Sequence, residues 1–538
     1  MRTKFNIIWF VLIFLIIISI SSIVKFLPII SKYSTAPAQF GGGTIYFINH
    51  IINTGHILKR GEIQTYGVYS NTIYGQVETP IFSIFHAIRS KILDIPWKSR
   101  DLISHITFSI IFSITILLFF YRSEKIEISI ITFITIVLFA LFGTPQLISN
   151  MEGNAALGWI FIALGLYTYT RSEDSRMRLL LIIFSCTLPL MYYTPSMVYL
   201  LILVSLVVYK IVIKRDYKQY LGFTLLYLVV WLACSIYIAT SRFHGTINVI
   251  SSIHLLFREG LTGSLVGINE GDIIHYLIST SISNKIKLAS NAFFVVIPVI
   301  YFLKIGHKRF TEKNRIVDVL WAILISLLPM SFLLFVWLGI WGVMRLVEWG
   351  GLYSVIILSS MMSLIEIHHR RFLTFVVIAA IITSCYAYMT DENKPTGYIT
   401  YSEEHAADWI LNNIKRDNAV FTDFRLSADL VGNGHLRVTG INEVEQKLTS
   451  VISSLNDIYY NNKSDNAKMA LNKIILSNNQ KMDYLFFSKQ MTEEIPGIKG
   501  YNYAFKPAPD DFTIKYDTSN FTNRIYDNGI SFIYRIYL

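Results

Sequence analysis

The chain has 538 residues, 53% of them hydrophobic and only 15% charged, with 47 Lys and Arg against 36 Asp and Glu and a mean hydropathy of +0.48. So little charge cannot cover the surface of a soluble protein this long, which excludes a soluble globular fold and points to a polytopic membrane protein. The formal charge of +11 does not argue for a nucleic-acid partner, because the basic residues gather at the ends of apolar runs, as membrane topology demands.

In chain order, the first apolar run, 5–24, follows Arg2 and Lys4. It is long and lacks an A-x-A-like exit, so it reads as an anchor that stays. Next comes "QFGGGTIYFINHIINTGHILKRGEIQTYGVYS", in which Asn49, His50, Asn53 and His56 stand among apolar positions and Gln39 to Arg60 holds no Asp or Glu. "TPIFSIFHAIRSKILDIPW" carries Arg89 and Lys91 in its middle and is expected to be an amphipathic helix in the outer interface. Further runs near 102–121, 128–143, 154–170, 179–193, 196–210, 221–240, 286–304, 317–338, 350–366 and 372–389 bring the expectation to about eleven transmembrane helices. Cys186, Cys234 and Cys385 fall inside such runs and read as small core hydrophobes.

Charge gives the sidedness. Arg122 and Lys125, Arg171, Arg176 and Arg178, Lys210, Lys214 and Arg215, Lys304 through Arg315, and Arg370 with Arg371 fall on one side, while the short loops 144–153 and 194–195 hold no Lys or Arg. The expectation is an integral protein of the plasma membrane with its N-terminus in the cytoplasm and long outer loops at 25–101 and 241–285. After Met389 the chain turns polar, so a membrane domain over 1–389 and an extracytoplasmic α/β domain over 390–538 are expected. In the latter, "SEEHAADWILNNIKR" places Ala406, Ile410 and Ile414 on one helical face behind Ser402 as N-cap, and "NAVFTDF", "MDYLFFS" and "ISFIYRIYL" read as strands. Sequons at Asn462 and Asn520 suit an outer location.

Three stretches together resemble the GT-C superfamily of membrane glycosyltransferases, the class of protein O-mannosyltransferases and aminoarabinose transferases. The first is the glycine-led stretch continued to "ETPIFSIFHAI", the second "TPQLISNMEGNAALGWIFIALGLYTYTR", and the third "GVMRLVEWGGLYSVIILSS". The ending "RIYDNGISFIYRIYL" is similar to tails of members with an outer α/β domain. The resemblance implies a GT-C-like bundle whose donor is a sugar on a polyprenyl phosphate and whose acceptor is a glycan, lipid or protein, with membrane lipid as a further partner. An acceptor hydroxyl must lose a proton as it attacks, which calls for a carboxylate, and the departing phosphate gains charge, which calls for Arg, Lys or a divalent cation.

By resemblance the carboxylate stands four residues before Tyr46, where this chain has Gly42. Glu152, in a loop otherwise free of acids, and Glu62, the first acid of the opening loop, are the catalytic candidates. Arg345 is the candidate for the donor phosphate, against a plain pairing with Glu348 one turn away; Arg242 and His244 are further candidates, against snorkelling anchors. His50 and His56 carry a near-neutral base or a headgroup-boundary role. Glu270 and Asp272 offer carboxylates to a divalent cation or serve as loop and helix-cap material. A non-catalytic lipid- or glycan-binding scaffold is the alternative that Gly42 suggests. A flippase fits less well, since charges sit at span ends and not at mid-membrane.

Overall fold

The computed structural model describes residues 7–30, 33–35, 42–57, 80–94, 100–121, 130–142, 154–191, 193–238, 314–338, 399–416, 418–435, 438–440, 457–478, 482–493 and 508–537. It also describes short helical pieces between 296 and 304, at 355–358 and between 374 and 386. The chain divides into two compact units, one of Met1–Pro28 with Asp101–Asp391 and one of Ile29–Arg100 with Glu392–Leu538.

The first unit is helical: α1 (Ile7–Ile30), then, after the segment belonging to the second unit, Arg100–Tyr121, Ile130–Phe142, Asn154–Thr170, Ser175–Met191, Tyr193–Val212, Lys218–Ala233 and Arg315–Leu338. With α2 (Gly42–Thr54) and α3 (Ile81–Leu93) in the second unit, these are α4 to α10. Their apolar side chains point outward as well as inward. Val11, Leu15, Ile20 and Ile23 on α1, Leu179 and Ile183 on α7, and Leu225, Leu226 and Val229 on α9 are exposed. An apolar exterior of this extent is costly in water and natural against lipid, and the α8 and α9 segments Pro195–Val212 and Lys218–Tyr237 are long and apolar enough to cross a bilayer. α1 runs to Ile30, beyond the expected end at 24, because Lys25 and Phe26 are buried against neighbouring helices and have no reason to leave the helix.

Two features lock the bundle. α6 and α8 approach closely through Gly158, where an added Cβ would lie 2.3 Å from Pro195 Cγ, and Gly165, where it would lie 2.9 Å from Tyr199 Oη. α8 and α10 lie side by side and are tied at one end by Lys210 Nζ, which donates to Asp318 Oδ2 at 2.5 Å. Around that pair, Arg215 Nη1 stands 3.8 Å from Asp318 Oδ1, and Arg315 donates to Ser172 Oγ at 2.8 Å while pairing with Glu173. Three of the basic residues that charge counting assigned to one side, Lys210, Arg215 and Arg315, therefore lie together at one end of α8 and α10.

The second unit is built on a five-stranded sheet of order β4-β3-β5-β7-β6. Its elements are β2 (Ile399–Thr400), α11 (Tyr401–Asn413), β3 (Val420–Thr422), α12 (Phe424–Gly432), β4 (Val438–Gly440), α13 (Ser464–Asn478), β5 (Tyr484–Ser488), α14 (Gln490–Glu493), α15 (Ile514–Asp517), β6 (Thr522–Asp527) and β7 (Ser531–Ile536). β4, β3 and β5 are parallel and β5, β7 and β6 antiparallel. β3 and β5 are central and almost wholly buried, as expected of parallel strands covered on both faces. The N-cap of α11 is Thr400, not Ser402. Thr400 Oγ1 accepts from Glu403 N while the Glu403 carboxylate accepts from Thr400 N, a capping box whose four-residue spacing Ser402 cannot match.

α12 ends with Gly434 at φ +97 and the His435 amide donating to Leu430 O, the Schellman arrangement for which glycine carries no Cβ penalty. That turn drives His435 inward, where Nε2 meets Asn418 O at 2.9 Å. Burial, foremost, and Arg416 hold the imidazole below its ordinary range despite this bond. The folded state therefore prefers neutral His435. Its contribution is intact above the unfolded value of about 6.5 and is lost as pH falls below it. Unfolding of the full chain followed between pH 7.5 and 5.5 should show this loss, and His435→Gln should flatten it; an unchanged slope in the variant would contradict the assignment.

The segment between α1 and α4 belongs to this sheet domain. β1 (Tyr33–Thr35) pairs antiparallel with β2, and α2 packs against both α12 and α3.

Candidate functional site

α2 holds the part of the opening loop that the structure describes. Its buried side is Thr44, Ile45, Phe47 and Ile48, and Leu426, Leu430 and Val431 of its partner α12 are fully buried. Gly55, at φ +78 with its amide on Ile51 O, ends the helix. His50 lies half-buried on the last turn, with its carbonyl accepting from Thr54 Oγ1 at 2.7 Å. His56 is exposed just beyond the turn, and the two rings meet edge to face, 5.0 Å between centroids at 86°. The two histidines that sequence singled out are thus neighbours, held by a helix end whose other face is anchored in the sheet domain. Two imidazoles this close can hold or pass on a proton.

Glu62, Glu152, Arg242, His244, Glu270, Asp272 and Arg345 lie outside the described residues. Among the described residues no group of three His, Cys, Asp or Glu is arranged to hold a metal ion.

Two polar groupings escaped the sequence reading. α3 does form a helix, with Phe82, Ser83, His86, Ala87 and Ser90 on its buried side and Ile88 and Ile92 exposed. Its buried side is therefore mixed, with two serines and a histidine packed inward beside Phe82 and Ala87 while isoleucines stand outward with Lys91. The His86 ring lies 4.2 Å from that of Phe82.

The other grouping is in the membrane unit, where α1 and α4 meet. Ser21 and Lys25, one turn apart on α1, are 0% and 1% exposed, and His105 on α4 is 0% exposed. Ser21 Oγ and His105 Nε2 are 3.1 Å apart, the Phe26 ring stands edge-on to His105 at 5.7 Å, and His105 Nδ1 has no hydrogen-bond partner. Ser109 and Ser113 continue the same face of α4, both fully buried with unpartnered hydroxyls. A charged residue inside an apolar run was the available signal, but Lys25 fell just past the expected end of the first span.

No family model matches the chain, and no curated protein matches it. Solved structures do. The archaeal oligosaccharyltransferase AglB from Archaeoglobus fulgidus, in complex with an inhibitory peptide and a dolichol-phosphate, aligns at 13% identity over 90% of this chain and 70% of its own, with a TM-score of 0.51. The A. fulgidus oligosaccharyltransferase in complex with Zn and sulfate aligns at 13% identity over 89% and 68%, with a TM-score of 0.52. ArnT from Cupriavidus metallidurans bound to undecaprenyl phosphate aligns over 97% of each chain at 10% identity, with a TM-score of 0.46. The AglB alignments span both units and show that this chain shares the fold of the archaeal oligosaccharyltransferase.

Proposed function

From the GT-C fold as premise, we propose that this protein transfers a sugar from a polyprenyl-phosphate donor to an acceptor on the outer face of the membrane. The observation that carries the reading is the AglB alignment over 90% of the chain, since AglB is held with a dolichol-phosphate and an inhibitory peptide, and the A. fulgidus oligosaccharyltransferase is also known tethered to an acceptor peptide. Two independent features support it: the lipid-facing exterior of the helical unit, and the packing of the opening-loop helix α2 into the sheet domain. In this reading the N-terminus is cytoplasmic, the sheet domain is extracytoplasmic and helps recognise the acceptor, and the protein resides in the plasma membrane.

The reaction breaks the bond between the anomeric carbon and the phosphate oxygen and forms one to the acceptor oxygen. The acceptor proton passes to a carboxylate, and polyprenyl phosphate leaves with the charge. Glu152 is assigned as base with Glu62 as the second candidate. Arg345 is assigned to the phosphate, backed by Arg242 and His244, and His50 and His56 line the loop. Should a divalent cation assist, Glu270 and Asp272 are its candidate ligands.

Glu152→Gln should lower transfer by at least about 100-fold, the lower end of what a general base contributes, measured with labelled polyprenyl-phosphate sugar in proteoliposomes. Full activity in that variant removes Glu152 from the mechanism. Gly42, at the first position of α2 where the resemblance expects an acid, favours a second reading: a lipid- or glycan-binding scaffold. Thermal protection by the donor with no product from the wild type would support that one.

A further inference from the structure

α8 closes with an unusual residue in a common turn. The Lys214 amide donates to Ile211 O and the Arg215 amide to Lys210 O, the paired bonds of a Schellman motif. Its left-handed position is one that glycine takes without a Cβ penalty, as Gly434 does after α12. Here the residue is Lys214, at φ +52. A lysine held there accepts backbone strain for the sake of its side chain, which is exposed. Four residues on, Lys218 opens α9 and is exposed as well. Neither ammonium has a hydrogen bond, an ion pair or an aromatic face among the described residues. The charges between them are engaged elsewhere. Arg215 stands 3.8 Å from Asp318 Oδ1, and Asp216 Oδ1 accepts from the Lys218 amide. Along α9, Lys218, Leu221, Leu225 and Val229 recur at helical spacing on one side, all of them exposed. Val212 and Tyr217, on either flank of the turn, are exposed too. The apolar exterior thus leads into a pair of free ammoniums.

We infer that the α8–α9 turn binds the headgroup of an anionic phospholipid through Lys214 and Lys218, with the acyl chains along Leu221, Leu225 and Val229. Two features commit the surface to this occupant. One is charge complementarity between two free ammoniums and an anionic headgroup. The other is continuity with the lipid-facing exterior, so that the same molecule meets leucines with its tails and lysines with its head. Lysine suits the task as a point charge on a flexible stem, which reaches a headgroup without demanding one geometry. A plain topological anchor is the competing reading, since lysines at span ends favour one side of the bilayer whatever the lipid. It leaves Lys214 unexplained, because an anchor would serve equally from a neighbouring position with an ordinary backbone. Binding of this lipid involves neither sugar donor nor acceptor, so it stands apart from the proposed transfer.

The test reconstitutes the full, delipidated chain into nanodiscs holding equal amounts of phosphatidylglycerol and phosphatidylcholine with the same acyl chains. Native mass spectrometry then reads which lipids stay bound. The wild type should retain phosphatidylglycerol over phosphatidylcholine by about 30-fold, each lysine contributing about fivefold. Lys218→Gln and Lys214→Gly should each lower the preference about fivefold, and the double variant should bring it to parity. Lys214→Gly also separates the ligand role from a structural one. Glycine relieves the left-handed backbone, so in phosphatidylcholine alone this variant should melt at or above the wild type while its preference for phosphatidylglycerol falls. Equal retention of both lipids by the wild type overturns the assignment. So does a double variant that keeps the wild-type preference, which would reduce the two lysines to anchors. A dimer that holds no lipid would give the α9 stripe to a second copy of the chain and overturns it equally.

Discussion

Asp318→Ala is expected to destabilise the helical unit by about 3–5 kcal/mol, the range for removing one partner of a buried ion pair. The two side chains are only 5% and 3% exposed, so alanine at 318 leaves the Lys210 ammonium in an apolar setting with the Tyr220 ring, 5.1 Å away, as poor compensation. The loss falls on the α8–α10 packing and, through Arg215 and Arg315, on the turn before α7. Most of the damage comes from the abandoned charge and not from the lost attraction, because desolvating both ions already offsets much of their Coulomb gain. The double replacement Lys210→Met with Asp318→Leu should therefore recover most of the stability, and a double-mutant cycle should show strong coupling. Thermal unfolding in detergent measures both. An Asp318→Ala chain that melts as the wild type does would show the pair to be energetically idle.

Gly158→Ala is expected to cost about 1–3 kcal/mol or more through overpacking, although alanine is the better helix former by about 1 kcal/mol. The new methyl would sit 2.3 Å from Cγ and 2.8 Å from Cβ of Pro195. A proline ring has no rotamer to retreat into, so α6 and α8 must move apart. Gly165→Ala should cost less. Its methyl meets Tyr199 at 2.9 Å through the hydroxyl end of a longer side chain, even though that ring is buried, packed on Tyr227 and near Ser185. Gly222→Ala on α9, where nothing lies within 4 Å, is the internal control and should be neutral or stabilising. If all three variants unfold alike, the α6–α8 contact is not what these glycines serve.

Local regularities were legible and distant pairings were not. The run 154–170 coincides with α6 end to end because it is uniformly apolar and bounded by Asn154 and the Arg171 turn. β3, β5 and β7 fall within the stretches read as strands, because buried strands write themselves as short apolar runs. β6 was missed although it precedes an Asn528-Gly529 turn whose Asn528 Oδ1 accepts from Ile530 and Ser531 amides. Its residues Asn523 to Asp527 are mixed in polarity, and the hairpin signal lay in the turn, not in the strand. The cap at Thr400 was misplaced by weighing one residue where the spacing to Glu403 decided. For the candidate site, sequence picked His50 and His56 by chemistry but had no way to see that their helix rests on residues near 426–431, because that contact joins segments far apart in the chain. Lys25 and His105 escaped for a related reason: each stands with a few serines in a largely apolar run, and the contact of Ser21 with His105 across two helices joins segments far apart in the chain.

The antiparallel pairing of Tyr33 with Thr400 also constrains the path of the chain through the bilayer. Two segments that share backbone hydrogen bonds must occupy the same compartment, so the chain between Thr35 and Ile399 traverses the bilayer an even number of times. Any topology with an odd count would tear that small ladder apart.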